Sequence, residues 1–193
     1  NQPPANSEVL GWHMGEEYLW LDTETDWGKP PPQLNSHTRV EWDVEAWRGV
    51  RFRRRLLWLD DVLIDLSTVE NPHRQQLDWT LHLAADALDQ SGEPQPFSLS
   101  GPLRDMRNAT VTPLHGCQPR HFSHQGDTFA LWLSGDGELW QGLAADNPAI
   151  SDLSYLVLRN HLPQARFVCL WDLAKQSPLT EVSVHHTAIG TQL

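Results

Sequence analysis

The fold is decided by residues 39–69, RVEWDVEAWRGVRFRRRLLWLDDVLIDLSTV. Two sets of side chains alternate along 52–59, namely Phe52, Arg54, Leu56 and Trp58 against Arg53, Arg55, Leu57 and Leu59. A period of two places one set on each face of a β-strand. The alternation resumes after Asp60-Asp61, which predicts a tight hairpin, and a similar alternation at 40–45 predicts a preceding strand. Because both arms of the hairpin are apolar, they need a second sheet over them.

The rest of the chain shows the same pattern of short strands and frequent turn signals. Further strands are predicted at 9–14, 17–27, 77–83, 97–99, 103–112, 128–133, 138–143, 155–159, 166–173 and 180–187. The sequence SGDG at 134–137 is a strong hairpin signal. Residues 84–88 are expected to extend a strand or form one helical turn, and 115–127 are expected to be irregular. The sequence therefore predicts an all-β fold, an antiparallel β-sandwich of two packed sheets with little helix, in one domain over 1–193.

Composition narrows the classes of partner. The 193 residues carry 25 acidic and 14 basic side chains, a net charge of −11, which argues against nucleic acid and anionic membrane surfaces. No apolar run approaches 18 residues, so no membrane-spanning segment is predicted. Ten tryptophans are unusual. Tryptophan packs in sandwich cores and also stacks on the flat faces of sugar rings, so most are expected in the core and some on a carbohydrate surface.

Residues able to bind metal are present but poorly spaced. Cys117, His121 and His124 resemble half of a zinc site without a second pair to complete it, and the alternative is surface histidines. We therefore predict no metal ligands and no cofactor, and leave a structural divalent metal open. Whether Cys117 and Cys169 form a disulfide also stays open at this level.

The arginines of the central hairpin permit three interpretations. Arg51, Arg53 and Arg55 share one strand face, where they could pair with the acidic stretch 41–45. They could instead dock another domain or chain, or bind an acidic polysaccharide through the bidentate fork that arginine offers a carboxylate. Arg54 points the other way, among apolar neighbours, and would need a carboxylate partner if buried.

The order of motifs resembles the C-terminal β-sandwich of the heparinase II/III-like polysaccharide lyases, a group that includes oligoalginate lyases. Four stretches carry the resemblance, and together they extend from the first residues to about position 173: NQPPANSEV at 1–9, RGVRFRRRLLWLDDVLIDLSTV at 48–69, LDWTLHL at 77–83 and LWQGLAADNPAISDLSYLVLRNHLPQARFVCLWDL at 139–173.

The resemblance implies one part of a two-part enzyme that cleaves uronic-acid-containing acidic glycans by β-elimination. In that family a helical toroid precedes the sandwich, supplies most catalytic groups and forms the active-site cleft with it. The chain is expected to begin after those segments, so no catalytic residue is assigned. A phosphate loop, a nucleophile elbow and paired catalytic carboxylates are also missing from the sequence. We predict that the chain alone is inactive.

The predicted partners are an acidic polysaccharide or oligosaccharide and an N-terminal helical toroid domain or chain. The predicted substrate-binding residues are Arg51, Arg53, Arg55, His82 and Trp12, and the predicted location is the bacterial periplasm or the exterior of the cell. The alternative is a non-catalytic carbohydrate-binding or structural interaction module. Exposure of the tryptophans separates the two, because three or more on one solvated face favour binding and near-complete burial favours a scaffold.

Overall fold

The computed structural model describes residues 5–29, 43–95, 103–146, 151–174, 178–186 and 191–192. Its elements are β1 (Ser7–Met14), β2 (Tyr18–Asp26), α1 (Val44–Trp47), β3 (Arg51–Leu59), β4 (Val62–Glu70), β5 (Leu77–Leu83), β6 (Asp86–Ala87), β7 (Glu93–Pro94), β8 (Arg107–Leu114), β9 (Cys117–His124), β10 (Asp127–Ser134), β11 (Gly137–Ala145), β12 (Asp152–Asn160), β13 (Gln164–Asp172), β14 (His185–His186) and β15 (Thr191–Gln192).

Two antiparallel sheets form the body of the fold. We call them the wide sheet, with strand order β1-β2-β3-β4-β13-β10-β9-β6, and the narrow sheet, with strand order β5-β12-β11-β8-β7. β14 and β15 form a separate two-stranded ribbon. The predicted all-β sandwich is thus confirmed. No helix in the described part of the chain is long and apolar enough to cross a membrane.

The hairpin of β3 and β4 forms as the sequence predicts. Leu59 pairs with Val62, and Asp60 at the turn has a φ of 44°, a left-handed conformation that aspartate tolerates. Across the hairpin, Phe52 pairs with Val69 and Trp58 pairs with Leu63. The Phe52, Arg54, Leu56 and Trp58 set therefore faces the narrow sheet, and the Arg51, Arg53 and Arg55 set faces away from it.

The core lies between the central strands of the two sheets. Fully buried side chains come from the wide sheet and the narrow sheet in alternating positions, including Phe122, Leu131, Leu133, Phe167, Cys169, Leu139, Leu156 and Leu158. A smaller cluster lies on the outer side of the narrow sheet, where Leu103 and Met106 cover Val157. Burial of these side chains, worth roughly 1.5 to 3 kcal/mol each, is the main stabilisation of the sandwich.

The two sheets differ in width. Eight strands at the usual spacing span roughly 34 Å and five span roughly 19 Å, so about three strands of the wide sheet extend past the narrow one. The core cluster includes buried side chains of β4, β13, β10 and β9 but none of β1, β2 or β3. The described side chains of β1 are exposed or half-buried. The wide sheet therefore projects beyond the narrow sheet on the side of β1 to β3.

Four predictions about elements were wrong. Residues 84–88 neither extend β5 nor form a helical turn, because 86–87 form β6, which pairs with β9 of the wide sheet. The strand predicted at 40–45 is replaced over 44–47 by α1, because Asp43 caps the helix by accepting a hydrogen bond from the Ala46 amide. Segment 115–127 is not irregular: β9 spans 117–124 and pairs with β10. Its sequence hid it, because Phe122 is the one large apolar residue there. Over 180–187 the strand is limited to β14. The strand predicted at 97–99 lies outside the described residues.

Gly137 is required by the hairpin of β10 and β11. Its φ is 136°, and a Cβ at this position would overlap the carbonyl oxygen of Arg159 on the adjacent strand. We expect Gly137→Ala to lower the free energy of unfolding by about 3 kcal/mol or more, measured by urea denaturation.

Gly116 supplies the matched control. It also has a positive φ, 71°, but a Cβ there would meet nothing within 4 Å. Gly116→Ala is expected to cost about 1 to 2 kcal/mol. Equal losses for the two variants would contradict the close approach at Gly137.

Candidate functional site

An open groove runs along the edge of the sandwich, where the narrow sheet stops and the wide sheet continues. Its floor is the inward face of β3, formed by Phe52, Arg54, Leu56 and Trp58. Its wall is β5, the edge strand of the narrow sheet. We call this feature the edge groove. One cavity lies beside Phe52 and Arg54, and another lies beside Trp58.

The narrow end of the edge groove is a cavity of about 290 Å³ with strongly aromatic walls. Trp27, Trp47, Trp79 and Phe52 line it, and all four are partly buried against the core. The rings of Trp27 and Trp47 are 4.9 Å apart between centroids and tilted by 48°. The two indoles therefore form an angled wall held in place by the core beneath them.

Local structure explains how these two tryptophans meet. Trp47 is the last residue of α1, and Gly49 reverses the chain with a φ of 78°. The amide of Val50 then donates to the carbonyl of Trp47, and the amide of Trp27 donates to the carbonyl of Val50. The end of β2 and the end of α1 are thus tied to the same residue, which places both indoles at the mouth of the cavity.

Arg54 is the basic residue in the floor of the groove. Its Nε and Nη2 donate to the carboxylate of Asp65 at 3.0 and 2.6 Å, and Asp65 is only 3% exposed. The hydrogen bond to Asp65 raises the pKa of Arg54. The carboxylate partner that the sequence required for Arg54 is therefore Asp65, and the pair is bidentate. The charge of Arg54 is neutralised within the protein.

Asp78 is the acidic residue at the same end of the groove, and it too is paired. Both of its carboxylate oxygens accept from Arg159, at 2.7 and 2.9 Å. The hydrogen bond to Asp78 raises the pKa of Arg159, whose guanidinium carbon also lies 5.4 Å from the ring centroid of Trp140. Gln76 donates to Asp78 at 3.0 Å and completes the polar rim.

A second cavity, of about 610 Å³, begins at Trp58 and crosses the end of the sandwich to β10 and β9, and we call it the wide end of the edge groove. Its apolar lining includes Trp58, Leu63, Phe129 and Trp171, and the rings of the last two stack at 6.3 Å with a 10° angle. The indole N–H of Trp58 donates to the carbonyl of Asp60, which fixes the ring while leaving the residue 44% exposed. His82, His124 and Asp127 form the polar part of this end.

Beyond the groove, the inward face of β1 and β2 continues the same surface. Trp12 pairs with Leu21 of β2, which pairs with Leu56 of β3. In the same way Met14 pairs with Leu19, which pairs with Trp58. Trp12 is 68% exposed, and Val9, Met14 and Leu19 are also exposed. We call this apolar surface of β1 and β2 the overhang face. Isolated apolar residues on a surface are common, but a contiguous row indicates a contact surface.

The predicted binding arginines lie on the opposite face of the wide sheet. Arg53 donates to Asp22 at 2.8 and 2.5 Å, and Arg55 donates to the same carboxylate at 3.3 Å. Arg51 lies 3.6 Å from Asp26. The acidic partners that the structure shows are on β2, because β2 is the strand that pairs with β3. Residues 41 and 42 of the expected acidic stretch lie outside the described residues. Glycan binding by these arginines stays a prediction.

The predicted residues are not brought together into one site. His82 lies on β5 and stacks flat on Tyr155, with centroids 4.1 Å apart and a 9° angle, at the rim of the wide end. Trp12 lies on the overhang face, and the arginine set lies on the other side of the wide sheet. The predicted binding residues do not include Trp27, Trp47 and Trp79. Their common signal is position, since each flanks or belongs to a strand that borders the groove.

The metal ligands considered in the sequence do not converge. Within the described ranges, no group of three or more histidine, cysteine, aspartate or glutamate residues is placed to hold a metal ion. His121 contacts Asp89, and His124 contacts the carbonyl of Ala84. Cys117 and Cys169 are free thiols. Burial raises the pKa of both, and that of Cys169 lies well above its usual range.

Asp22 provides a test of the outward arginine cluster. Asp22 is 8% exposed, and its hydrogen bond with Arg53 lowers its pKa from the ordinary value of 3.8. A lowered native pKa stabilises the fold above the ordinary value, and this contribution is lost as the pH falls through the native value. We expect Asp22→Asn to cost about 1 to 2 kcal/mol at pH 7 and to reduce the loss of stability below about pH 4.

The measurement is urea denaturation of both proteins from pH 7 down to about pH 2. Asp60→Asn is the control, because Asp60 lies in the exposed turn of the same hairpin. If Asp22→Asn loses as much stability below about pH 4 as the unsubstituted protein does, the assigned role of the Asp22 carboxylate is contradicted.

Substitution of two tryptophans of the wide sheet tests whether the overhang face is exposed to solvent or buried. Trp12 is 68% exposed and Trp132 is 8% exposed. We expect Trp12→Ala to change stability by less than about 0.5 kcal/mol and Trp132→Ala to cost about 3 kcal/mol, measured by urea denaturation. A large loss for Trp12→Ala would show that the overhang face is covered in solution.

Comparisons with known proteins give a distant likeness of fold. No family model and no curated protein sequence matches the chain. Among solved structures, the chain is similar to a heparinase III gene product, with a TM-score of 0.44 and 12% sequence identity. The match covers 89% of this chain and 22% of that one, so the chain spans about a fifth of the length of the protein it is similar to.

Proposed function

We propose that this sandwich is the non-catalytic C-terminal part of a polysaccharide lyase that cleaves uronic-acid-containing glycans by β-elimination. In this proposal the edge groove forms one wall of the substrate cleft. The observation that carries the proposal is that both cavities of the edge groove combine aromatic side chains with a few polar groups. Such a surface matches the apolar faces and hydroxyl edges of a sugar chain.

The chemistry of β-elimination explains why the wall is assigned no catalytic role. The reaction needs a cation or hydrogen-bond donors to neutralise the uronate carboxylate, a base for the C5 proton and an acid for the departing O4. Arg54 is the arginine in the floor of the groove, and its fork is occupied by Asp65. The neutralising group and the proton-transfer groups are therefore expected from a second domain.

The overhang face is where that second domain would contact the sandwich. Val9, Trp12, Met14 and Leu19 present exposed apolar surface there. Burial of this surface by a helical domain would contribute about 25 cal/mol per Å². The proposed partner is the helical toroid that the sequence resemblance implies. The proposed location is the bacterial periplasm or the exterior of the cell.

The first test uses the chain with tetrasaccharides of neutral sugars and of uronic acids. We expect no unsaturated uronate product, followed by its absorbance, and measurable binding by isothermal titration calorimetry. Trp58→Ala should weaken binding at least about tenfold, which corresponds to about 1.4 kcal/mol, because Trp58 combines exposure with a fixed ring at the wide end.

Trp20→Ala is the matched control. Trp20 is half-buried on β2 and faces away from the groove, packed over Gly11. Its loss should leave binding unchanged. Turnover by the chain alone would contradict the non-catalytic assignment. Absence of binding to every tetrasaccharide would reject the glycan-binding wall and favour the alternative, a structural interaction module.

A further inference from the structure

We infer that the narrow end of the edge groove recognises an uncharged pyranose unit, and that the acidic groups of a glycan are recognised elsewhere. This inference rests on the proposed function, because it assigns a ligand class to one end of the same groove. It follows from three properties of the cavity lined by Trp27, Trp47 and Trp79, namely its shape, its size and its charge.

The shape of the cavity suits a flat ring with an apolar face. Trp27 and Trp47 meet at 48° with their centroids 4.9 Å apart, and Trp79 lines the same cavity from β5. All three are partly buried against the core, so the aromatic wall exists before a ligand arrives. A preformed wall saves the entropy of ordering these side chains on binding. The C–H face of a pyranose can stack on such a wall.

The size of the cavity limits the ligand to about one ring. Its volume of about 290 Å³ lies at the lower end of the range for small-molecule sites. Phe52 and Arg54 in the floor of the cavity are followed along the inward face of β3 by Leu56 and Trp58. A single sugar unit can therefore occupy the narrow end while its neighbours continue along β3.

The charge of the cavity is the decisive property. Its two charged side chains are Arg54 and Asp78, and each already forms a bidentate pair, with Asp65 and with Arg159. A uronate could contact only the N–H groups that Asp65 leaves, and one that displaced Asp65, which is 3% exposed, would leave a buried carboxylate without its partner. That loss costs several kcal/mol and would offset the new contact. The chain also carries a net charge of −11, which repels anions.

The groups that remain available on the rim are neutral. Gln76 and Thr80 line the cavity, and both residues are exposed. The amide nitrogen of Gln76 donates one hydrogen bond to Asp78, which leaves its second N–H and its carbonyl oxygen for a ligand. An amide and a hydroxyl can each donate and accept, which matches the hydroxyl groups of a sugar. An apolar ligand would leave these groups without a role, and an anion would find no unpaired cation among the side chains that line the cavity.

The test measures binding of neutral tetrasaccharides of glucose, mannose and galactose, with tetragalacturonate as the charged probe. We expect at least one neutral probe to bind with an affinity that changes less than about twofold between low and high salt. Trp47→Leu and Gln76→Ala should each weaken that binding at least about fivefold. Gln76 is exposed, so its variant is expected to fold even where the Trp47 variant does not. Trp20→Ala should have no effect.

The outcomes separate this inference from the proposed function. Binding of tetragalacturonate without binding of any neutral probe would overturn the inference and leave the glycan-binding wall intact. Binding of a neutral probe that neither Trp47→Leu nor Gln76→Ala weakens would also overturn it, because the ligand would lie elsewhere. Absence of binding by all four probes would reject the proposed function, and the inference with it.

Discussion

The bidentate pair of Arg54 and Asp65 lies at the point where the wide sheet leaves the cover of the narrow one. Asp65 faces inward on β4 beside Cys169, which is fully buried, whereas Arg54 lies one strand further out and is half exposed. An apolar pair here would extend the core towards the open edge. The ion pair instead ends the core, because a guanidinium can reach solvent while it satisfies a buried carboxylate.

The unequal width of the sheets leaves two strand edges that a sandwich must protect from pairing with other chains. On β1 the register shifts between Val9 and Gly11, and the ring of Trp20 packs over Gly11. A bulge of this kind twists an edge strand and makes regular pairing with another chain difficult. The unpaired edge of β5 borders the edge groove, so a ligand or a partner bound in the groove can cover that edge.

The sequence predicted the sandwich because period-two alternation survives wherever a strand has one apolar face. β5 and the hairpin of β3 and β4 are of this kind. The alternation is weak in β9, where Gln118, Arg120 and His124 share the inward positions with Phe122. This strand forms because it pairs along its whole length with β10. For the short helix, the cap at Asp43 outweighed the alternation of Val44 with its neighbours.

The site was less predictable than the fold because it depends on which strands become neighbours. Alternation correctly separated Arg54 from Arg51, Arg53 and Arg55. The acidic partners of the last three could not be predicted without knowing the register in which β2 pairs with β3. The contact between Trp27 and Trp47 could not be predicted either. The two residues are twenty positions apart and meet because the backbone of each is hydrogen-bonded to Val50. Short-range patterns carry no information about such contacts.

The aromatic residues of the groove acquire their role from sheet width more than from their own chemistry. If the narrow sheet had three more strands, Phe52, Leu56 and Trp58 would be core residues, like Val69 and Phe167 on the next strands. Without those strands the same side chains form a preorganised surface whose charged groups are already paired. A surface of this kind gains most from a ligand that brings apolar faces and neutral hydroxyls, since a charged ligand would meet no unpaired charge of opposite sign.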